Sequence, residues 1–258
     1  MKFASFPKFA VLFAIAGALT LSLSGCGAAV SKLALTEGNW AFSATSTAKF
    51  VSAPSFVIGG NLTQSGDNLT GTMFIDHASC IAPQTVIFTG TVKDKNVTLT
   101  SQSFSGQVIT VTASGSQDSL SGTYAVTGDC ADSGTLTADA VPSISGTWSG
   151  TVLVNTSPTT MTVVLTQAPT ASADGTFGLT GSVSYVGSDC PATAALITSS
   201  ITGGDLKINT DNGAGGGFGY VAQLDSVTAP KNISGDYDST SDPCSSSDGI
   251  QSVTLTKQ

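Results

Sequence analysis

The chain says almost everything twice. Gly38-Asn39-Trp40 returns as Gly146-Thr147-Trp148, Leu62-Thr63-Gln64 as Leu165-Thr166-Gln167, and Leu69-Thr70-Gly71 as Leu179-Thr180-Gly181. Leu120-Ser121-Gly122-Thr123-Tyr124 returns as Ile233-Ser234-Gly235-Asp236-Tyr237, and the order of these landmarks is never broken. Both tryptophans of the sequence sit in the pattern. A duplicated unit must be able to fold as a unit, so whatever buries the core of the first copy must be available again in the second. Two β domains are expected, over residues 37–141 and 142–258, each long enough for one core and joined at Ala140-Val141-Pro142-Ser143 without a flexible Gly/Ser tract.

Inside each copy the apolar period is two. Val97 and Leu99 alternate with Thr98 and Thr100, Met161, Val163 and Leu165 are interleaved with polar positions such as Thr162, and Val253 and Leu255 alternate with Thr254 and Thr256. That is the pattern of half-buried strands. Turn clusters such as Ser65-Gly66-Asp67-Asn68, Lys93-Asp94-Lys95-Asn96 and Ser116-Gln117-Asp118-Ser119 separate them. With 29 Gly, few charges and Thr, Ser and Val in place of Lys, Glu and Leu, nothing in the chain favours helix. The first copy reads as eight strands near 38–46, 55–65, 68–76, 84–92, 96–101, 107–115, 119–126 and 133–140. The expected fold class is therefore all-β: two tandem repeats, each an approximately eight-stranded antiparallel up-and-down barrel, or a flattened barrel or sandwich, since closure removes exposed edges.

Residues 1–25 read as an export signal. Lys2 and Lys8 precede an almost wholly apolar run over 9–23 that is short for a membrane-spanning helix, which needs about 20 apolar residues. Leu23-Ser24-Gly25-Cys26 resembles the lipobox of bacterial lipoproteins, in which a small residue precedes a cysteine that is lipidated on sulfur and becomes the first residue after cleavage. The resemblance implies lipidation of Cys26, a lipidated N-terminus and linker over 26–36, and a place in the cell envelope with the membrane as partner through that anchor. Gly27, in place of an aspartate, points by the same resemblance to the outer membrane. Two or three acyl chains make such an anchor effectively permanent, where one would hold only marginally.

An envelope address is oxidising, and it changes how the other cysteines are read. Cys80 and Cys190 occupy the same place in the two copies, as do Cys130 and Cys244. In an up-and-down meander the loops after strands three and seven emerge at the same end, so Cys80–Cys130 and Cys190–Cys244 disulfides are expected, with pairing across the domains as the alternative. Strands three and seven lie on opposite sides of a circular barrel. The pairs therefore require loops that fold over the mouth or a flattened barrel.

Gly-x-Trp in the first strand of an eight-stranded meander resembles the calycins, the group of lipocalins and avidins. The resemblance implies architecture only, because the aromatic set with which avidins grip biotin has no counterpart here. Trp40 and Trp148 either line a ligand cavity or plug one end of each barrel, and plugging is the better expectation for so small a barrel.

Export would remove Lys2 and Lys8 and leave 7 basic residues against 17 acidic ones, a net charge of −10 with no arginine anywhere. Such a chain is a poor partner for nucleic acid or phosphate. His77 is the single histidine and stands beside Asp76, but no nucleophile can be singled out among so many serines, so a loop histidine is the reading. Asp236, Asp238 and Asp242, with Asp248, are material for a Ca²⁺ site, although the spacing does not match an EF-hand loop and no glutamate stands among them to give the bidentate ligand. Zinc fails for want of histidines, and Gly215-Gly216-Gly217 follows no parallel strand, so it is no phosphate loop. Asn61, Asn68, Asn96 and Asn232 head Asn-x-Thr/Ser triplets, which in a bacterial chain are better read as turn residues. The apolar segment over 49–56 has no partner in the second copy and is the one loop suited to a contact.

No cofactor is expected. The sequence-level expectation is a non-enzymatic envelope lipoprotein with a structural or binding role toward an envelope protein or small ligand. A lipocalin-like carrier of a small apolar ligand is the alternative, and an envelope hydrolase a more remote one.

Overall fold

The computed structural model describes residues 32–47, 56–76, 78, 80–154, 157–186, 193–211, 217–238 and 250–258. The first copy forms β1 (Gly38–Ser46), β2 (Phe56–Ser65), β3 (Asn68–Asp76), β4 (Gln84–Lys93), β5 (Asn96–Ser101), β6 (Val108–Gly115), β7 (Ser119–Thr127) and β8 (Asp132–Ala140). The second forms β9 (Gly146–Val154), β10 (Ser157–Gln167), β11 (Phe177–Val186), β12 (Thr193–Thr202), β13 (Asp205–Asp211), β14 (Gly219–Leu224), β15 (Asn232–Asp238) and β16 (Gln251–Lys257). Each strand pairs antiparallel with its neighbours in sequence, and each meander closes on itself, β8 against β1 and β16 against β9. These are two closed barrels in tandem, not sandwiches, and each strand expected in the first copy lies within one residue of where it forms.

Register explains the composition. Thr91, Thr98, Thr112, Thr123, Thr135 and Thr45 stand directly opposite one another on β4, β5, β6, β7, β8 and β1, all outward and exposed, as a belt around most of the first barrel. Cross-strand threonine pairs stabilise such a wall by a few tenths to about 1 kcal/mol each while keeping it solvated. The inward positions between them carry Val97, Leu99, Val111, Leu136 and Ala44, all buried.

One end of each barrel is shut by the residues before its first strand. In the first barrel the indole N–H of Trp40 donates to the Thr36 carbonyl at 2.7 Å, and Gln64 accepts from Leu35 N–H at 2.8 Å while donating to the Leu33 carbonyl at 3.1 Å. Leu33 and Leu35 enter the core. The second barrel repeats the lock: Trp148 donates to the Ile144 carbonyl at 3.0 Å and Gln167 accepts from Ile144 N–H at 3.0 Å. The recurring Gly-x-Trp and Leu-Thr-Gln are thus two parts of one device, an indole lid held by a glutamine. Both tryptophans have no solvent exposure, and Trp148 also carries the Lys257 ammonium 5.3 Å from its ring centroid.

The segment before β1 is stitched to every tight turn at that end. Lys32 pairs with Asp67 of the β2–β3 turn, Leu33 N–H donates to the Asp94 carbonyl of the β4–β5 turn at 3.0 Å, and Thr36 N–H donates to the Gln117 carbonyl of the β6–β7 turn at 3.0 Å. A further bond joins the Thr36 hydroxyl to Asp118.

The second barrel docks on the outer wall of the first through the two-residue β12–β13 turn. Asn39 faces outward on β1, yet it is buried, because its side-chain amide pairs with the backbone of Gly203: Oδ1 accepts from Gly203 N–H at 2.7 Å and Nδ2 donates to the Gly203 carbonyl at 2.9 Å. Gly59 on β2 permits the approach, since a Cβ there would come within 2.8–2.9 Å of the Gly203 backbone. Gly203 itself has φ +57°, the left-handed conformation such hairpin turns need. The β10–β11 loop makes a second contact, where a Cβ on Gly175 would come within 2.0 Å of the Thr72 carbonyl oxygen.

Replacing Asn39 by Ala would leave the buried N–H and carbonyl of Gly203 without partners, at a cost of about 2–3 kcal/mol. Chemical denaturation of Asn39→Ala is expected to resolve two transitions where the parent shows one. A single transition at the parental midpoint would rule out this coupling.

Candidate functional site

The residues singled out in the sequence are distributed over both barrels. Cys80 and Cys130 form a disulfide with their Cα atoms 5.8 Å apart. They bridge opposite sides of a closed barrel because loops fold across its mouth: Ala78 and Ile81 from the β3–β4 loop and Phe104 from the β5–β6 loop pack onto the core. Gln107, also buried there, donates from Nε2 to Cys130 Sγ at 3.2 Å. Cys26, His77, Cys190, Asp242, Asp248, Cys244 and residues 48–55 lie outside the described residues. Phe56, the last residue of the apolar segment, is buried at the start of β2 with its ring edge-on to Tyr124 at 4.9 Å.

The two described members of the calcium candidate stand on the outer face of β15. Asp236 is exposed, and Asp238 has a buried Oδ1 without a hydrogen-bond partner among the described residues. No group of three metal-ligating side chains forms among the described residues. Burial, together with the charge of Asp236, raises the pKa of the Tyr220 phenol, whose oxygen lies 2.9 Å from the carbonyls of both Ile233 and Val253.

Among the described residues, the carboxyl groups with a displaced ionisation are displaced toward the charged form. At Asp132 burial pushes upward, but hydrogen bonds from the Tyr124 and Ser46 hydroxyls and from Ser133 outweigh it. Asp174 is lowered first by the Ser172 hydroxyl and then by the N–H and hydroxyl of Thr176. Asp225 is lowered by the N–H groups of Asn232 and Lys231. These carboxylates tie loops together, and their environment is the opposite of the one that prepares a general acid.

Asp76 leads to the part of the surface that sequence reading missed. It ends β3 on the outer wall of the first barrel and faces a cleft between the barrels, one part of which has a volume of about 250 Å³. Val57, Phe74 and Val221 give this part its apolar lining, and Asp205 and Lys207 stand at its edge with Asp76. A second part of about 190 Å³ lies on the other side of Val57 and Asp205, lined by Ala41, Thr137, Asp139, Leu224 and Val227 among others. Gln223 donates to Asp205 Oδ1 at 2.9 Å and fixes the carboxylate between the two parts. A signal for this face was present in the sequence. Where most other outward positions of the first barrel carry Thr or Ser, β1 to β3 carry Asn39, Ala41, Val57, Gly59 and Phe74 on adjacent strands.

No family model matches the chain, and no curated protein matches it. Among solved structures, the crystal structure of kievitone hydratase from Nectria haematococca matches with 11% identity over 88% of this chain and 91% of that one, at a TM-score of 0.26. A likeness at that level carries no inference about activity.

Removing the Cys80–Cys130 bond, which closes a loop of 50 residues, is expected to cost about 4 kcal/mol in the chain-entropy model. The measurement is urea unfolding of Cys80→Ser/Cys130→Ser, and an unchanged midpoint would show the bridge to be energetically idle. Acid should act through the loop carboxylates. Their folded-state pKa values lie below the unfolded value near 3.9, so their stabilisation is complete above about pH 5 and lost as pH falls through the lowered values. Melting temperature against pH should therefore have a shallower slope below about pH 5 in Asp174→Asn/Asp225→Asn than in the parent; parallel curves would exclude the assignment.

Proposed function

We propose that the chain is an outer-membrane lipoprotein, anchored through Cys26, whose two barrels act together as a non-enzymatic binding module. The observation that carries the reading is the filling of the barrels. Trp40, Phe42, Phe88, Leu62, Leu69, Met73 and Tyr124 occupy the inside of the first with exposures of at most 2%, and Trp148, Tyr220 and Tyr237 are among those that occupy the second. An eight-stranded barrel is just wide enough for its own side chains, and these are large ones. Binding is then a matter for the outside of the module, which weighs against a lipocalin-like carrier with cargo at its centre.

The tie-down of Lys32 to Thr36 supports the anchored reading in a further way. Only residues 27–31 separate Cys26 from the first tied residue, a reach of at most about 22 Å. A tether so short keeps a module at the membrane surface. The long loops of the first barrel, with the disulfide, emerge from the end opposite the tied turns.

Cys26→Ser should move the protein from the membrane pellet to the soluble fraction while both barrels stay folded by circular dichroism. Retention in the pellet after an alkaline wash would remove the anchor from the proposal. Native mass spectrometry of the released protein addresses the filled barrels separately, with an apolar molecule bound in stoichiometric amount as the outcome that would restore the carrier.

A further inference from the structure

The geometry points to the cleft between the barrels as a binding site for a small cation with an apolar body, of the arylammonium or alkylammonium class. The inference rests on the binding-module reading and gives it a place and a ligand chemistry.

Three observations combine. The contact that joins the barrels is made by an amide and by glycine backbones, Asn39 on Gly203, Gly59 under Gly203 and Gly175 against Thr72, so it does not consume the apolar residues beside it. Val221 keeps 65% exposure on the wall of β14, and Val57 and Phe74 are only half-buried on β2 and β3. An aromatic and two valines are thus held around a gap on a surface whose other outward positions are mostly threonine and serine. If their purpose were only to hold the barrels together, the gap between them would be closed.

The volumes give the size class. Cavities of about 190 and 250 Å³ are smaller than the roughly 300–1,000 Å³ of sites for drug-sized molecules, so the ligand is small, and junctions between domains are where such sites occur most often. Charge gives the sign. Among the described lining residues, Asp76, Asp139 and Asp205 stand against one cation, Lys207, in a chain that is itself strongly acidic. An ammonium gains from that field and a carboxylate is repelled by it. An aromatic face such as Phe74 adds attraction for a cation seated over it.

The test uses the full chain as it is isolated, with methyl-labelled valine and leucine, titrated with 2-phenylethylammonium and with 3-phenylpropionate, which has nearly the same shape and the opposite charge. The cation is expected to saturate shifts of the Val57, Val221 and Val227 methyls by about 10 mM, the weak end for so small a ligand. The anion is expected to leave them in place. Asp205→Asn, which keeps the acceptor for Gln223, and Phe74→Ala should each weaken the cation about threefold to tenfold. Equal responses to both probes would overturn the charge assignment, and shifts confined to other walls, or none at all, would overturn the site. None of these readouts depends on the lipid anchor, so failure here and failure of the Cys26 reading are separate results.

Discussion

The lid of each barrel governs the rest of the structure. An indole that donates to the chain four residues behind it, under a glutamine that grips the same segment, shuts one end before the first strand has run three residues. Once that end is sealed by side chains, a buried N–H and two backbone groups are satisfied without water, which an open barrel end would otherwise have to supply. The two ends of the barrel then differ in kind. At the shut end the first barrel has turns of two or three residues, Gly66-Asp67, Asp94-Lys95 and 116–118, and at the other it has the long loops, with the disulfide drawn across them.

Divergence between the copies follows from what each shut end touches. In the first barrel the turns receive the segment from Lys32 to Thr36. In the second the same end meets the wall of the first barrel, and its connections have changed to suit. The β10–β11 connection has grown to 168–176, the β14–β15 connection to 225–231, and Asp94-Lys95 is replaced by Gly203-Gly204 at the point of closest approach. A side chain at Gly203 would be pressed against Gly59 and the β1 backbone. The partner of that turn, Asn39, is Thr147 in the second copy, where no comparable turn docks among the described residues. The drift in spacing between the repeats therefore has a physical origin in the junction.

Much of this was legible in the chain. Strict alternation, turn clusters at short intervals and duplicated landmarks fix strands within a residue, because the pleat leaves an inward side chain no choice of face. Loop parity placed Cys80 and Cys130 at one end, while their approach across the mouth depended on how Ile81 and Phe104 pack, which no local pattern encodes. The junction was harder for a different reason. Outward Asn39, Val57, Gly59 and Phe74 each have ordinary explanations in isolation, since exposed apolar residues are common. They become informative only when register sets them on adjacent strands and a glycine turn from the other copy falls among them.

Hydrogen bonding on both sides of Asn39 distinguishes the cleft there from a gap between two loosely strung domains. Tandem domains joined by a few residues usually retain relative motion unless their interface is extensive. Here the connection itself is part of the structure: Val141 N–H donates to the Asn39 carbonyl at 2.8 Å, Ile144 is bound by Gln167, and the Ser145 hydroxyl accepts from Gln167 N–H at 2.9 Å. Asn39 thus holds the linker with its backbone and the second barrel with its side chain. To the extent that these bonds order the two barrels on folding, a ligand entering beside Asn39 is spared that cost on binding, which matters most for a small molecule with few contacts of its own.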